Sequence, residues 1–285
     1  MTTRRDFLTT VGTALGAATL GARVLSAAEA ARHLPHVGLQ LYTVRNLMEK
    51  DFEGTLARVA EIGYTEVEFA GYFGKTPAQV RAILKKNGLT SPSTHTPLPK
   101  SDDDFKKVCD EARTIGHKWV VIAWLAPEER KNADDWARHA DHFNKLGAIT
   151  KAHGLRLAYH NHDFEFMKVG DVTGLDVLLS KTDAKLVDYE MDLYWVTKAG
   201  GDPITIIKRY PHRFPLMHAK DATAAPERAM ADVGSGTINF AKIFAQASTS
   251  GMQHVYVERD DAGDKGADPF VSATNSFKYL SKLHY

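Results

Sequence analysis

The sequence predicts an α/β fold, a single-domain (β/α)8 TIM barrel, and three observations carry that prediction. From Val37 onward one unit repeats: a short apolar run, a polar loop, an amphipathic stretch, then a glycine just ahead of the next apolar run. Those glycines are Gly63, Gly88, Gly116, Gly154 and Gly251. Glycine at that place suits the left-handed turn that ends a helix before a strand. The apolar runs number eight within about 250 residues, with no composition shift to mark a second domain, which fits a closed barrel better than an open sheet.

In order, the strands are expected over Val37–Thr43, Glu66–Ala70, Thr90–Thr96, Trp119–Trp124, Arg156–His162, Leu186–Asp192, Pro215–Lys220 and His254–Glu258. Helices are expected over Phe52–Ile62, Pro77–Lys86, Asp103–Ile115, Ala133–Ala152 and Thr237–Ala247, where apolar residues recur every three or four positions. No G-x-G-x-x-G follows the first strand, so the simplest dinucleotide-binding fold is set aside. The run Asp261-Ala262-Gly263-Asp264-Lys265-Gly266 reads as a loop over the mouth.

Lys and Arg number 36 against 35 Asp and Glu, which leaves no net field to hold a polyanion, and nucleic acid is not expected as a partner. With Cys109 as the single cysteine, neither a disulfide framework nor a thiolate cluster can form within the chain, so a metal site must draw on His, Asp and Glu. Residues 1–30 differ from the rest. Thr3-Arg4-Arg5-Asp6-Phe7-Leu8, an apolar run from Val11 to Leu25 and small residues at Ser26, Ala27, Ala28 and Ala30 resemble a twin-arginine export signal. This implies a periplasmic or otherwise exported protein, with residues 31–285 as the barrel and no stable membrane anchoring once the signal is cleaved.

Catalytic groups in such a barrel sit at the carboxyl ends of the strands. There the sequence places Gln40-Leu41-Tyr42, Glu66 and Glu68, His95, His160-Asn161-His162, Glu190-Met191-Asp192, His218-Ala219-Lys220-Asp221 and Glu258-Arg259-Asp260. Any one of these would ordinarily be a hydrogen-bonding or capping residue. Their recurrence on strands five to eight is what points to a shared site, and an N/O donor set of this kind suits Mn, Co, Zn or Mg. Alternation by two puts His160 with His162, His218 with Lys220, and Tyr256 with Glu258 on common faces.

At these residues the chain resembles the sugar phosphate isomerase/epimerase family of xylose-isomerase-like barrels. The resemblance runs from Val37 to the end and rests on Gly38-Leu39-Gln40-Leu41-Tyr42, Tyr159-His160-Asn161-His162-Asp163-Phe164-Glu165-Phe166, Asp192, His218-Ala219-Lys220-Asp221, Gly234-Ser235-Gly236 and Val257-Glu258. It implies one divalent metal ion held by a Glu of strand five, an Asp of strand six, a His of strand seven and a Glu of strand eight. By position these are Glu165, Asp192, His218 and Glu258, with His160 the alternative to Glu165. It also implies a small-molecule sugar substrate contacted by His95, His160, His162, Trp195 and Lys220, with Glu165 and Glu258 moving protons beside a carbonyl. Isomerisation or epimerisation is the leading expectation, with elimination on an inosose or 3-keto-glycoside as the alternative. A metal-dependent endonuclease and a non-catalytic sugar-binding protein are the rivals from other classes.

Overall fold

The computed structural model describes residues 32–285, so the export-signal reading of residues 1–30 lies outside the described residues. Eight parallel strands close into a barrel: β1 Gly38–Gln40, β2 Glu66–Phe69, β3 Thr90–Thr96, β4 Trp119–Ile122, β5 Arg156–His160, β6 Val187–Asp192, β7 Leu216–Ala219 and β8 His254–Val257. β1 closes the ring by pairing with β8, Gly38 opposite Tyr256. That closure depends on glycine, because a Cβ at Gly38 would lie 2.3 Å from the Tyr256 ring.

The helices follow the expected spacing. In α1, Phe52–Ile62, the Asp51 carboxylate accepts from the Gly54 N–H, Gly63 ends the helix at φ 118°, and Phe52, Leu56 and Val59 are buried on one face. The capping bond alone contributes about 1 kcal/mol. Next come α2 Pro77–Lys86, α3 Asp102–Ile115 and α4 Ala133–Ala152, capped by Thr76, Ser101 and Asn132. The five glycines singled out in the sequence all take positive φ.

Several boundaries differ from expectation for local reasons. β1 stops at Gln40 because its side chain accepts from the Tyr42 N–H and starts a 3-10 turn over Leu41–Val44. The helix expected over 237–247 begins at Phe240, where Asn239 caps the Lys242 N–H. Helices at Gly174–Lys181, Leu193–Lys198, Pro203–Arg209 and Pro269–Leu280 complete the outer layer. The 261–266 loop is drawn away from the mouth: Arg259 holds Asp261 at 2.7 Å and Asp232 at 2.6 Å, and none of those six residues lines the central cavity.

Inside the barrel, Trp119, Val121, Ala158, Leu216 and Tyr256 pack into a separate apolar cluster. Tyr256 accepts a hydrogen bond from the Ser93 hydroxyl at 2.9 Å, and the Trp119 indole donates to Asp188 at 2.8 Å. Asp188 also pairs with Arg156, whose Nη2 lies 2.6 Å from Oδ1. This plug fills the lower half of the barrel and leaves the carboxyl ends of the strands to polar residues.

Candidate metal centre and active site

Period-two alternation lifts the chain out of the apolar plug and into a polar layer. On β5 the inward residue after Ala158 is His160; on β6 it is Glu190 and then Asp192; beyond Leu216 on β7 it is His218 and then Lys220; beyond Tyr256 it is Glu258. Register then sets neighbours side by side, His160 against Glu190 and Asp192 against His218. The result is a buried cluster of opposite charges at one end of a rigid sheet.

The cluster has two tiers, joined by imidazoles that use both ring nitrogens. Below, His160 Nδ1 lies 3.1 Å from Glu190 Oε2, and His218 Nε2 lies 2.7 Å from Glu68 Oε2 and 3.1 Å from Glu190 Oε2. His95 Nε2 lies 2.6 Å from the same Glu190 oxygen, and Gln40 donates to Glu68 at 2.7 Å. Above, His160 Nε2 is 3.7 Å from Asp192 Oδ2, while His218 Nδ1 is 2.7 Å from Glu258 Oε2 and 3.9 Å from Asp192 Oδ2.

Two groups of donors could therefore hold a cation: His160, Asp192, His218 and Glu258, or His95, His160, Glu190 and His218, the donor atoms of each lying within 4.8 Å of one another. The upper group fits better. His160 and Glu258 line the open cavity, and Asp192 Oδ2 is a buried oxygen with no hydrogen bond, its charge met by the Lys220 ammonium at 3.1 Å. A ligating imidazole characteristically donates its other N–H to a carboxylate, which fixes its tautomer, and Glu190 and Glu68 stand where those acceptors belong.

Charge within the cluster is strongly polarised. Burial opposes ionisation of Glu258, yet Lys220 and His218 outweigh it and hold the carboxyl well below the usual range. Burial likewise opposes the Lys220 charge, and Asp192, Glu258 and Asp260 overcome it, the ammonium lying 3.1, 2.7 and 2.9 Å from their oxygens. Burial raises Asp192 to about 6. Burial drives His160 down to about 3 and His162 to about 2, which keeps both imidazoles neutral and able to act as ligands or hydrogen-bond partners.

Glu165 is not brought to this cluster. Its carboxyl accepts the Tyr159 hydroxyl at 2.5 Å and the His162 N–H at 2.8 Å. Tyr159 is the neighbour of His160 on β5 and so faces the opposite side, where its ring meets Phe143 of α4 at 5.1 Å. Glu165 therefore sits behind the barrel wall, and His160 is the strand-five residue among the candidate donors.

Burial pushes Glu165 up to about 8 from an ordinary 4.5, against the lowering effect of the Tyr159 hydroxyl. Between those values the folded state holds a proton that the unfolded state has lost, so stability falls as pH rises through the window. Glu165→Gln removes that term. Thermal melts at about pH 5 and about pH 8.5 should show a smaller drop for the variant than for the parent; equal drops would place the titration elsewhere.

The remaining expected contacts divide. His95, His162 and Lys220 line the cavity with His160 and Glu258. Trp195 stands behind them, its ring 5.6 Å from the Lys220 ammonium and its indole nitrogen buried without a partner, as is His162 Nδ1. Residues the sequence reading left without a role are Glu68 and Glu190, which buttress the imidazoles, and Asp260, Tyr42, Arg45 and Trp124, which line the cavity. The signal for Glu190 was present: it lies two residues before Asp192 on one strand.

The comparisons agree with this architecture. A relative named inosose dehydratase from Geobacillus kaustophilus is 25% identical over 269 residues, spanning 80% of this chain and 86% of the relative. Another of the same name from Clostridium beijerinckii is 25% identical over 273 residues, spanning 82% and 90%. A solved structure of a sugar phosphate isomerase/epimerase from Parabacteroides distasonis superposes with TM-score 0.75 at 29% identity, covering 90% of this chain and 96% of that one. The family model described as xylose isomerase-like TIM barrel matches residues 56–278, and the chain belongs to that family.

Proposed function

We propose that this chain is a metal-dependent lyase that eliminates water from a keto-polyol of the inosose or keto-sugar class. One observation favours elimination over the epimerisation that was the leading expectation from sequence. An epimerase needs proton-moving groups on both faces of its substrate. Here the strand-five place holds His160, whose two nitrogens face Glu190 and the proposed ion site beside Asp192, and the nearest carboxyl, Glu165, is paired with Tyr159 behind the wall. Glu258 and Asp260 both reach the cavity and both contact the Lys220 ammonium, so the proton-moving groups cluster on one side. The relatives named inosose dehydratase are consistent with that outcome.

His160, Asp192, His218 and Glu258 would hold the ion. A divalent ion bound there supplies positive charge against a carbonyl oxygen and so acidifies the adjoining C–H. Glu258 takes that proton, and the C–H electron pair becomes the new C=C bond as the neighbouring C–O bond breaks. Asp260 delivers a proton to the departing hydroxyl, which leaves as water. Lys220 keeps the two carboxyls together, and His95 and His162 bond the substrate's hydroxyls. The near-balanced charge, and the resemblance of residues 1–30 to an export signal, favour a free sugar over a phosphorylated one.

Incubation of metal-loaded protein with an inosose in deuterated water is the test. The expected product is an unsaturated ketone. Deuterium entering recovered substrate together with an epimer, and no unsaturated product, would restore the isomerase reading; no reaction with any keto-polyol would remove both.

A further inference from the structure

The site described so far occupies only part of the barrel mouth. Its cavity, of about 530 Å³, meets a second of about 970 Å³, and the two share Pro97, Ala123 and Trp124. Cavities of roughly 300–1,000 Å³ hold drug-sized ligands, so the first alone accommodates a sugar ring and the second leaves room for more. Trp124 forms the boundary. Its side chain is 47% exposed, whereas Trp119 and Trp136 are buried to within 1%. An indole left in water at the junction of two cavities is apolar area with nothing yet covering it.

From these features we infer a second binding subsite across Trp124 for the non-reacting ring of a glycoside. This rests on the reading of the first cavity as the site for a keto-sugar. The floor is apolar and stiff: Trp124 is flanked by Pro97, Leu98 and Pro99, whose prolines fix the backbone. The rim carries both signs, Lys100 and Arg138 against Glu128 and Glu129, so it offers hydrogen bonds without selecting an ion. A flat apolar platform edged by balanced polar groups matches a neutral pyranose, which has a C–H face and a belt of hydroxyls. A strongly anionic ligand would meet Glu128 and Glu129 beside the two cations.

Calorimetric titration of metal-loaded protein with cellobiose and with glucose tests this without requiring turnover. Cellobiose should bind about tenfold tighter than glucose, a difference of about 1.4 kcal/mol. Trp124→Ala should abolish that gap and Trp124→Phe should restore most of it; Leu98→Asp, at a residue that lines the second cavity and not the first, should narrow the gap while leaving glucose affinity unchanged. Equal affinities in the parent protein, no binding of either sugar, or an equal loss of both in Trp124→Ala would overturn the subsite. Failure of the elimination assay would leave this measurement standing. Equal affinities for the two sugars would leave the elimination reading standing.

Discussion

His218→Ala should empty the metal centre. The imidazole is buried and works on both sides, toward Glu258 and Asp192 through Nδ1 and toward Glu68 and Glu190 through Nε2. Alanine removes one donor of four and also leaves four carboxylates without the group that joined them. Loss of an outer partner to a metal-bound histidine already costs about 10- to 100-fold in affinity, so loss of the ligand itself should exceed roughly 100-fold. Metal analysis of purified protein should fall from near one ion per chain to a small fraction, and turnover should fall with it. Glu190→Gln, which keeps shape but weakens the buttress, should fall between the two. Full metal content in His218→Ala with an unchanged melting profile would remove the centre as drawn.

Glu258→Gln should separate holding the ion from moving the proton. The amide oxygen can still act as a donor, so metal content should be largely kept. An amide cannot accept the substrate's proton, and removal of a positioned general base costs about 10²- to 10⁴-fold. The loss is expected in kcat, with little change in KM. The isosteric change also leaves Lys220 paired with Asp192 and Asp260, which limits structural collapse. Near-normal turnover would show that another group takes the proton, and Asp260→Asn is then the variant to compare.

The barrel was legible in the sequence because its determinants are local. A helix that ends at Gly63 or Gly116 announces itself through one residue, and the strands show as short apolar runs between glycines. Parity along β6, β7 and β8 was legible for the same reason, and the structure brings Asp192, His218 and Glu258 together at one end. Glu165 shows where that reasoning stops. It lies five residues beyond the end of β5, in the 3-10 turn Phe164–Phe166, where alternation by two no longer holds. The Tyr159 hydroxyl, a feature of the opposite face, decides which side of the wall it occupies. Glu68 and Glu190 were visible at the strand ends but without a role, because what they do depends on the imidazoles of other strands that pair with them.

The apolar plug of Trp119, Val121, Ala158, Leu216 and Tyr256 bears on traffic as well as packing. With the lower barrel filled, the mouth is the single doorway among the described residues, and whatever enters must leave by the same route. Product and incoming substrate then compete for one passage. A product that lingers on the Trp124 platform acts as a competitive inhibitor, and departure rather than bond breaking can set the pace of the cycle.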